Sequence, residues 1–494
     1  MLIKRIPRLL ALVCLTALLL TGLPAPRAEA AAPKPVQAIL TYQDLVILYA
    51  DGTVASTGKD PSLLGNAADW KSVKALSVGN GALIGLRRDG TLCGAALSDF
   101  PAAAGWKNLV SAASTGTHLV ALKADGTVLC AGPEHFGTYE SYSFSDWKNV
   151  SQLAAGRSGA GEYAVGLLRD GSVRSDFLPG DWTGRANRTA AISCSGYLLL
   201  ALQRDGTVAA AGQDAAQLSE EISSWTGVTQ VCAGDTLAVA LKKDGTVLTA
   251  GNAALTEALS AWENVRALYL GAGGIVFGVH KDGSVSVEPK DRARFNPWAV
   301  ECWTNVDRLL CADESRVVAV SKSGELLTAG TFIPGAAAPA SPKEVTDSQG
   351  RNVESVMQTY GMINRADGPS LRWDGQGRVT QMCFGAGDSS RGVFTWRYDG
   401  KGRLTEYRME ARTPLPAGEA EHVIEHGVVL RYASDGGVTA EVTRRVSSDG
   451  GVLHRWVGSF NAEGELVKSE NSDKEGSVYF ISGSPTLENV LHDW

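Results

Sequence analysis

The apolar residues in the central part of the chain form short runs that recur at a regular interval. In a typical unit, runs at residues 228–233 and 237–241 are followed by the polar turn 242–245 and a third run at 246–250. Runs of about five residues bounded by turn-forming residues predict short strands, and an Asp-Gly pair between two runs predicts a tight hairpin. Each unit is therefore predicted to be a small antiparallel sheet of three to four strands.

The hairpin signal occurs eight times, at intervals of about 35 to 45 residues. Asp-Gly-(Thr/Ser)-(Val/Leu) begins at Asp51, Asp89, Asp125, Asp170, Asp205, Asp244 and Asp282, with a degenerate copy at Ser323. Trp-x-x-Val precedes most copies, at Trp70, Trp147, Trp225, Trp262 and Trp303, with Leu replacing Val after Trp106 and only the aromatic kept at Trp182. In the first unit Pro33 replaces the Trp, and Val36 takes the Val position. Small sheets at this period predict the blades of a β-propeller.

The composition of the strands supports this prediction. Their apolar runs are almost continuous instead of alternating, as expected for sheets covered on both faces. Twelve residues before the turn Asp the side chain is small in most units, with Leu270 as an exception: Ser77, Ala113, Ser158, Ser193, Cys232 and Cys311. A small side chain at one fixed place predicts a crowded position near the centre of a ring, and the cysteines there read as small buried residues.

The repeat resembles the bacterial branch of the regulator of chromosome condensation repeat over residues 36–330. The pattern is Trp-x-x-Val, Ala-Gly, Ala-Leu-Lys, Asp-Gly-Thr-Val and a final Gly, and it is clearest from Trp106 to Gly132 and from Trp225 to Gly251. The resemblance implies a β-propeller, for which seven blades are typical. The unit length is similar to that of the β-lactamase inhibitor protein II, a secreted member that binds enzymes with its loops. Eight units leave two arrangements open, an eight-bladed ring or a seven-bladed ring with a spare sheet.

The remainder of the chain predicts a leader, a linker and a second β domain. Residues 1–30 read as a secretory signal peptide, with a basic start, an apolar run and the cleavage pattern Ala28-Glu29-Ala30. Residues 31–331 form the predicted propeller, and the Pro/Ala-rich residues 332–348 a linker. In residues 349–494 turn signals become closer, which predicts an antiparallel β-meander, and residues 397–405 resemble a tyrosine-aspartate (RHS-type) repeat. The fold class is therefore all-β, a seven- or eight-bladed propeller followed by a smaller meander domain.

The net charge and the lengths of the apolar segments exclude some classes of function. A net charge of −7 argues against a nucleic-acid partner, and no segment after the leader is long enough and apolar enough to span a membrane. We expect an exported bacterial protein, secreted into the extracellular space or associated with the cell envelope, and a monomer. Seven cysteines remain after removal of Cys14, so at least one thiol is unpaired or bridges two molecules. Cys93 and Cys130 follow turns in neighbouring units, and their spacing leaves a bridge between them open.

The sequence offers little catalytic chemistry. It contains no G-x-S-x-G elbow and no phosphate-binding glycine loop. The segment from His422 to His426 has the H-x-x-E-H order of inverted zinc peptidases, but Pro416 and Gly427 leave little room for a helix. We read it as a polar strand or turn. No catalytic residue, metal or cofactor is predicted.

The best candidates for binding are two long inter-unit loops, 133–144 and 287–302. Aromatic and basic side chains gather there, as is common in binding surfaces. Both loops join the end of one unit to the start of the next, so both should emerge on one face. The candidate binding residues are His135, Phe136, Tyr139, Tyr142, Phe144, Arg292, Arg294, Phe295 and Trp298. The alternative for these aromatics is packing against the edges of the blades.

These observations favour a non-enzymatic protein that holds a protein or glycan partner on the loop face of a propeller. Two other hypotheses stay open at this point. One is a secreted hydrolase that uses the propeller channel or a metal site at His422 and His426. The other is a structural repeat protein of the cell envelope without a specific ligand.

Overall fold

Strands account for most of the described residues. The computed structural model describes residues 33–41, 45–56, 67–79, 82–115, 117–133, 144–158, 161–175, 188–195, 198–212, 215–234, 236–288, 297–313, 315–330, 370–376, 378–385, 391–413, 422–447 and 453–471. The predicted leader and linker therefore lie outside the described residues.

The first 24 strands within these ranges form eight antiparallel blades of three strands, each in the order of the chain. Blades 1 to 4 contain β1 Pro35–Leu40, β2 Leu45–Tyr49, β3 Val54–Ser56; β4 Val73–Gly79, β5 Ala82–Arg87, β6 Leu92–Cys93; β7 Leu109–Ser114, β8 Leu119–Lys123, β9 Val128–Ala131; and β10 Val150–Ser158, β11 Gly161–Leu168, β12 Val173–Ser175. Blades 5 to 8 contain β13 Thr189–Cys194, β14 Leu199–Gln203, β15 Val208–Ala211; β16 Val228–Ala233, β17 Ala238–Lys242, β18 Val247–Ala250; β19 Val265–Leu270, β20 Val276–His280, β21 Val285–Glu288; and β22 Val306–Ala312, β23 Arg316–Ser321, β24 Leu326–Gly330.

The eight blades close into a ring. The first strand of each blade contacts the first strand of the next, and β22 contacts β1. Seven apolar cores each lie between two consecutive blades, and an eighth joins Val318 and Leu326 of blade 8 to Leu45 and Ile47 of blade 1. The protein is therefore an eight-bladed β-propeller, which confirms the all-β fold class and decides between the two blade counts left open by the sequence.

The middle strand of each blade shows why the apolar runs do not alternate. In β8, Val120 packs in the core towards blade 4, and Ala121 packs in the core towards blade 2. Successive side chains of a strand point to opposite faces, and both faces are covered by a neighbouring blade. Both residues are therefore fully buried.

In three repeats the Trp lies against a glycine of its own blade. A Cβ at Gly85, Gly166 or Gly278 would meet the ring of Trp70, Trp147 or Trp262 at 2.6–2.8 Å. These three glycines lie in the middle strands β5, β11 and β20. The second marker of the repeat is therefore paired with a second small position, which accommodates the indole.

Three α-helices and several 3-10 helices lie in the described parts of the inter-blade segments. The α-helices are α1 Ala215–Ser223, α2 Ala253–Ser260 and α3 Trp298–Glu301, and the 3-10 helices of these segments are Ala67–Asp69, Ala95–Ser98 and Pro101–Gly105. A further 3-10 helix, Ala272–Gly274, lies in the first hairpin of blade 7. In α1, Leu218 and Ile222 are four residues apart on one face, and both are buried in the core between blades 5 and 6.

The outer edge of blade 8 continues into eight further strands, here called the extension sheet. They are β25 Ser370–Trp373, β26 Val379–Gly385, β27 Arg391–Tyr398, β28 Leu404–Thr413, β29 His422–Tyr432, β30 Val438–Val446, β31 Leu453–Phe460 and β32 Leu466–Asn471. β25 pairs with β24, so blade 8 and the extension sheet form one antiparallel meander of eleven strands. Leu371, Trp373 and Phe394 of the extension sheet join the core between blades 8 and 1.

Two details of the sequence interpretation change. Pro35, not Val36, takes the Val position in blade 1, because Pro35 pairs with Tyr49 before a bulge as Val73 pairs with Arg87. The extension also has more and longer strands than the turn spacing indicated. The apolar segment 478–481, which the sequence also predicts to be a strand, lies outside the described residues.

Candidate functional site

One face of the ring, called the loop face, carries the turns between first and second strands and the ends of the third strands. At Gly132, Gly251 and Gly330, where third strands end, a Cβ would collide with the first hairpin of the same blade. All three glycines have positive φ, between 99° and 151°. The inter-blade segments therefore leave the blades at the loop face.

A buried polar network lies on the loop face between blades 3 and 4. His118, at the start of β8, places Nδ1 2.5 Å from Glu162 Oε2 of β11, and its Nε2 lies 3.0 Å from the carbonyl oxygen of Pro133. Glu162 Oε1 also accepts hydrogen bonds from Thr115 Oγ1 and from the backbone N and Oγ1 of Thr117. The side chains of His118 and Glu162 are only 3% and 8% exposed. The network thus links two blades and holds Pro133, the first residue of the longest inter-blade loop.

Each ring nitrogen of His118 faces an acceptor. Nδ1 faces the Glu162 carboxylate, and Nε2 faces the carbonyl oxygen of Pro133. Burial raises the pKa of Glu162, but hydrogen bonds from Thr117, Thr115 and His118 together outweigh burial and lower that pKa below its usual range. Glu162 of blade 4 is therefore a buried carboxylate that is held by hydrogen-bonding groups of blade 3.

Other blades occupy the position of His118 mainly with apolar residues. The backbone hydrogen bond that Thr115 N donates to His118 O recurs from Ser195 to Leu198 and from Gly234 to Leu237. Leu198 and Leu237 are buried in inter-blade cores. Blade 8 has Arg316 there, which donates through Nη2 to Thr41 O of blade 1 at 2.5 Å. Polar residues at this position therefore occur where blade 3 meets the long loop and where the ring closes.

Most of the binding residues predicted from the sequence lie outside the described residues, namely His135, Phe136, Tyr139, Tyr142, Arg292, Arg294 and Phe295. Phe144 is described, and its side chain is 6% exposed and packs edge-on against Trp147 at 5.1 Å between ring centroids. Trp298 begins α3, and the next two residues, Ala299 and Val300, are buried between blades 7 and 8. The described ends of both loops thus belong to the core. The middle parts of the loops remain a predicted binding region.

The ring places the described ends of the two loops on opposite sides. The first loop joins blades 3 and 4, and the second joins blades 7 and 8, so four of the eight blades separate these ends on either side. The network that supports the first loop gave no motif in the sequence. The sequence signal for this network is His118 itself, which stands at a repeat position that other blades mainly fill with an apolar residue.

The H-x-x-E-H segment forms part of β29 and not of a helix. His422 and His426 point to one face of the strand, but four residues along a strand span roughly 13 Å. Glu425 points to the opposite face. No group of three metal-ligating side chains occurs in the described residues. The strand reading of this segment is therefore confirmed, and the two histidines are too far apart to share a zinc ion.

The face of the extension sheet that carries Glu425 is polar. Arg455 and Arg431 contact Glu441 at 2.7 and 3.1 Å, and Arg445 lies 3.5 Å from Glu425. A cavity of about 560 Å³ lies over Gly427, because glycine contributes no side chain to this face of the sheet. Cross-strand pairs of opposite charge are typical of a solvated sheet face, so the cavity alone indicates no ligand.

Comparison with known proteins adds only distant structural similarities. No protein-family model and no curated protein matches the chain. The CRINKLY WD40 ectodomain of the Arabidopsis thaliana receptor kinase ACR4 is similar with 15% identity and a TM-score of 0.32, over 54% of this chain and 97% of that chain. BamB from Moraxella catarrhalis has 12% identity and a TM-score of 0.32, over 60% and 98%. Prp20p from Saccharomyces cerevisiae has 13% identity and a TM-score of 0.19, over 84% and 73%.

The fold is therefore defined by the closed ring of eight blades itself. The class of protein is a β-propeller repeat protein whose last blade continues into a meander. No helix within the described ranges is long and apolar enough to cross a bilayer.

Proposed function

We propose that this protein is an exported, non-enzymatic binding protein that holds a protein or glycan partner on the loop face of its propeller. The observation that carries the proposal is the link from His118 to Pro133. A buried histidine beside a carboxylate replaces an apolar residue of the repeat at the base of the loop that is richest in aromatic residues. Burying charge costs free energy. The function that accounts for this cost is to fix the start of a binding loop.

Three further features support the proposal. The signal-peptide pattern at residues 1–30 favours export. The repeat resembles that of the regulator of chromosome condensation, whose secreted relative, the β-lactamase inhibitor protein II, binds enzymes with loops. The H-x-x-E-H segment, the main candidate for catalysis, is a strand with separated histidines. Export, partner class and the absence of catalysis are thus parts of one proposal.

The test is the binding of variants that change one loop at a time, because the described ends of the two loops lie half a ring apart. Tyr139→Ala with Tyr142→Ala alters the first loop, and Phe295→Ala alters the second. Binding is measured on a glycan array and by crosslinking to the exported and envelope proteins of the source organism. Lys243→Ala, in an exposed turn on the opposite face, is the control.

We expect the first-loop variant to lose at least tenfold in affinity while the control binds as the wild type. Unchanged binding by both loop variants would contradict the loop-face site. A chain that binds neither glycans nor proteins would favour the structural repeat protein. Turnover in a screen of peptides and polysaccharides would favour the hydrolase.

A further inference from the structure

The inter-blade segment before blade 8 contacts the extension sheet. Helix α3, Trp298–Glu301, packs against β21 and β24 of the propeller and also against β26. Two residues after this helix, Trp303 is buried, and its Nε1 donates a hydrogen bond to Ser370 Oγ of β25. The chain is therefore fixed beside the extension sheet at residue 303.

This contact brings two cysteines together. Ser370 is the direct cross-strand partner of Cys383 in the pairing of β25 with β26. Cys302 directly precedes Trp303, and its thiol interacts with the thiol of Cys383 closely enough to raise the pKa of Cys383. Cys383 is 2% exposed and Cys302 is half-buried. The packing of α3 on β26 and the hydrogen bond from Trp303 to Ser370 thus bring Cys302 next to the strand that carries Cys383.

We propose that Cys302 and Cys383 form a disulfide bond in the exported protein, which joins the propeller to its extension sheet. In this structure both are thiols. Cys93 and Cys130, the pair considered from sequence spacing, lie in different inter-blade cores, between blades 1 and 2 and between blades 3 and 4. The pairing that the fold favours therefore joins residues that are distant in sequence and belong to different repeats.

The bond forms by thiol–disulfide exchange with an oxidant of the disulfide class, such as oxidised glutathione or a disulfide oxidoreductase. The thiolate of Cys302 attacks one sulfur of the oxidant, forms a mixed disulfide and releases one thiol. Cys383 then loses its proton, attacks the sulfur of Cys302 and releases the second thiol. The two cysteines are oxidised by two electrons in all, and the oxidant is reduced to two thiols.

The environments of the two thiols set the order of these steps. The interaction with the Cys302 thiol and burial both raise the pKa of Cys383 well above its usual range. A thiol that stays protonated is a poor nucleophile. The more exposed Cys302 is therefore the first to react, and Cys383 follows within the mixed disulfide.

The test uses the full chain without its leader, incubated with oxidised glutathione and then alkylated in denaturant. We expect two fewer alkylated thiols than in the reduced protein and a linked peptide containing Cys302 and Cys383 in a non-reducing digest. A linked peptide with any other pairing, or full alkylation after oxidation, would overturn the proposal.

Variants connect the bond to the fold. In Cys302→Ser, whose changed residue is only half-buried, alkylation should show no oxidant-dependent loss of two thiols. Cys383→Ala should give the same result, and Cys130→Ser, a control outside the pair, should still form the link. Reduction should lower the melting temperature of the wild type by a few degrees and leave that of Cys302→Ser unchanged, because a cross-link restricts the unfolded chain. Equal effects of reduction on both proteins would contradict the bond.

Discussion

At the scale of single residues, the departures from the repeat are more informative than the repeat itself. The sequence predicted which positions are apolar, since their spacing follows the strands. It did not predict the role of His118, because its partners Glu162 and Pro133 meet it only after two blades pack together. Pro35 was missed for a related reason: its place in the repeat is defined by pairing with Tyr49.

The first prediction concerns this histidine–carboxylate pair. His118→Leu should lower the stability of the propeller by about 3 kcal/mol, because it leaves the buried Glu162 carboxylate without one of its hydrogen-bond partners. The leucine itself fits the position, as Leu198 and Leu237 show in other blades. Urea unfolding measures the loss, and chymotrypsin should cleave the loop at residues 134–143 faster in the variant.

A double-variant cycle separates the pair from simple packing. Glu162→Gln keeps an acceptor for Thr115 and Thr117 but removes the charge. In the double variant with His118→Leu, the loss of stability should be smaller than the sum of the two single losses, because no buried carboxylate then lacks a partner. Additive losses would show that the two side chains do not interact.

The second prediction concerns pH and His426. Burial, and next Arg444, lower the pKa of His426 from 6.5 to about 4. The unfolded chain takes up this proton below pH 6.5 while the folded chain stays neutral, so stability falls as the pH drops from 6.5 towards 4. This group alone should account for a loss on the order of 3 kcal/mol.

His426→Leu should remove that part of the pH dependence, because a leucine cannot titrate and suits the apolar face that contains Val428 and Leu430. Urea unfolding at several pH values between 7 and 4 measures the difference between variant and wild type. His422→Leu, on the same strand but less buried, is the control. Parallel pH curves for wild type and His426→Leu would refute the prediction.

At the scale of elements, the hairpins are the part that the sequence predicted best. In the turn at Asp89, the Oδ1 atom accepts hydrogen bonds from the backbone N and Oγ1 of Thr91, and the same pair recurs at Asp51, Asp125, Asp205 and Asp244. These contacts are local, so residues close in sequence define them. The role of the Gly in the same turn depends on the next blade and could not be predicted.

The glycine of each Asp-Gly turn joins neighbouring blades. Leu109 N donates to Gly90 O at 3.1 Å, and a Cβ at Gly90 would lie 2.8 Å from Leu109 N. Asn108, just before Leu109, has a φ of 60°, and Asn149, Asn264 and Asn305 have the same conformation before their blades. The residue before the Val of Trp-x-x-Val is thus usually Asn because asparagine tolerates positive φ better than most residues.

The third prediction follows from this conformation. Asn108→Ala should lower stability by about 1 kcal/mol, because alanine is strained at positive φ. Asn108→Gly should cost less than the alanine variant, since glycine adopts this conformation freely. Thermal unfolding of both variants measures the difference. An alanine variant as stable as the glycine variant would show that the conformation is not what selects Asn.

The extension sheet repeats a different local unit. Asp374 accepts from Arg378, whose guanidinium lies 4.5 Å from the Tyr398 ring, and Asp399 with Arg403 repeats this arrangement on Tyr432 at 4.0 Å. Each Arg therefore joins its own turn to the aromatic residue that begins the next turn. The tyrosine-aspartate pattern at residues 397–405 contains Tyr398, Asp399 and Arg403, but the contacts across hairpins depend on the strand pairing.

At the scale of the whole molecule, the sequence predicted eight repeat units but not the contacts that close the ring. Seven junctions between blades share a backbone hydrogen bond from the Val position to the turn Gly of the preceding blade. At the eighth, Pro35 occupies the Val position, and proline has no N–H to donate. Sequence repetition alone cannot show how the first and last units meet, because their contacts are not part of the repeat.

Side chains replace the missing bond where blade 8 meets blade 1. Lys34 Nζ lies 3.0 Å from Asp307 Oδ2, and Arg316 donates to Thr41 O across the same junction. Arg316 is 12% exposed and is also held by Asp313 at 2.7 Å. The closing junction therefore depends on a few charged side chains and on the core that it shares with the extension sheet.

The last prediction is that this junction is the place where the ring opens first. Arg316→Ala should lower the melting temperature by several degrees, because it removes a largely buried charged donor to Thr41 O and the salt bridge to Asp313. Amide hydrogen exchange should accelerate most in β1 and β22, and much less in β13 on the far side of the ring.

A matched control uses the junction between blades 1 and 2, where the backbone bond from Val73 to Gly52 is present. There Arg88 donates through Nη2 to Ala50 O at 2.5 Å, but its side chain is more exposed. Arg88→Ala should therefore cost little and leave exchange in β1 unchanged. Equal effects of the two variants would mean that closure depends on the apolar core of Leu45, Ile47 and Val318, and that the charged side chains are dispensable for it.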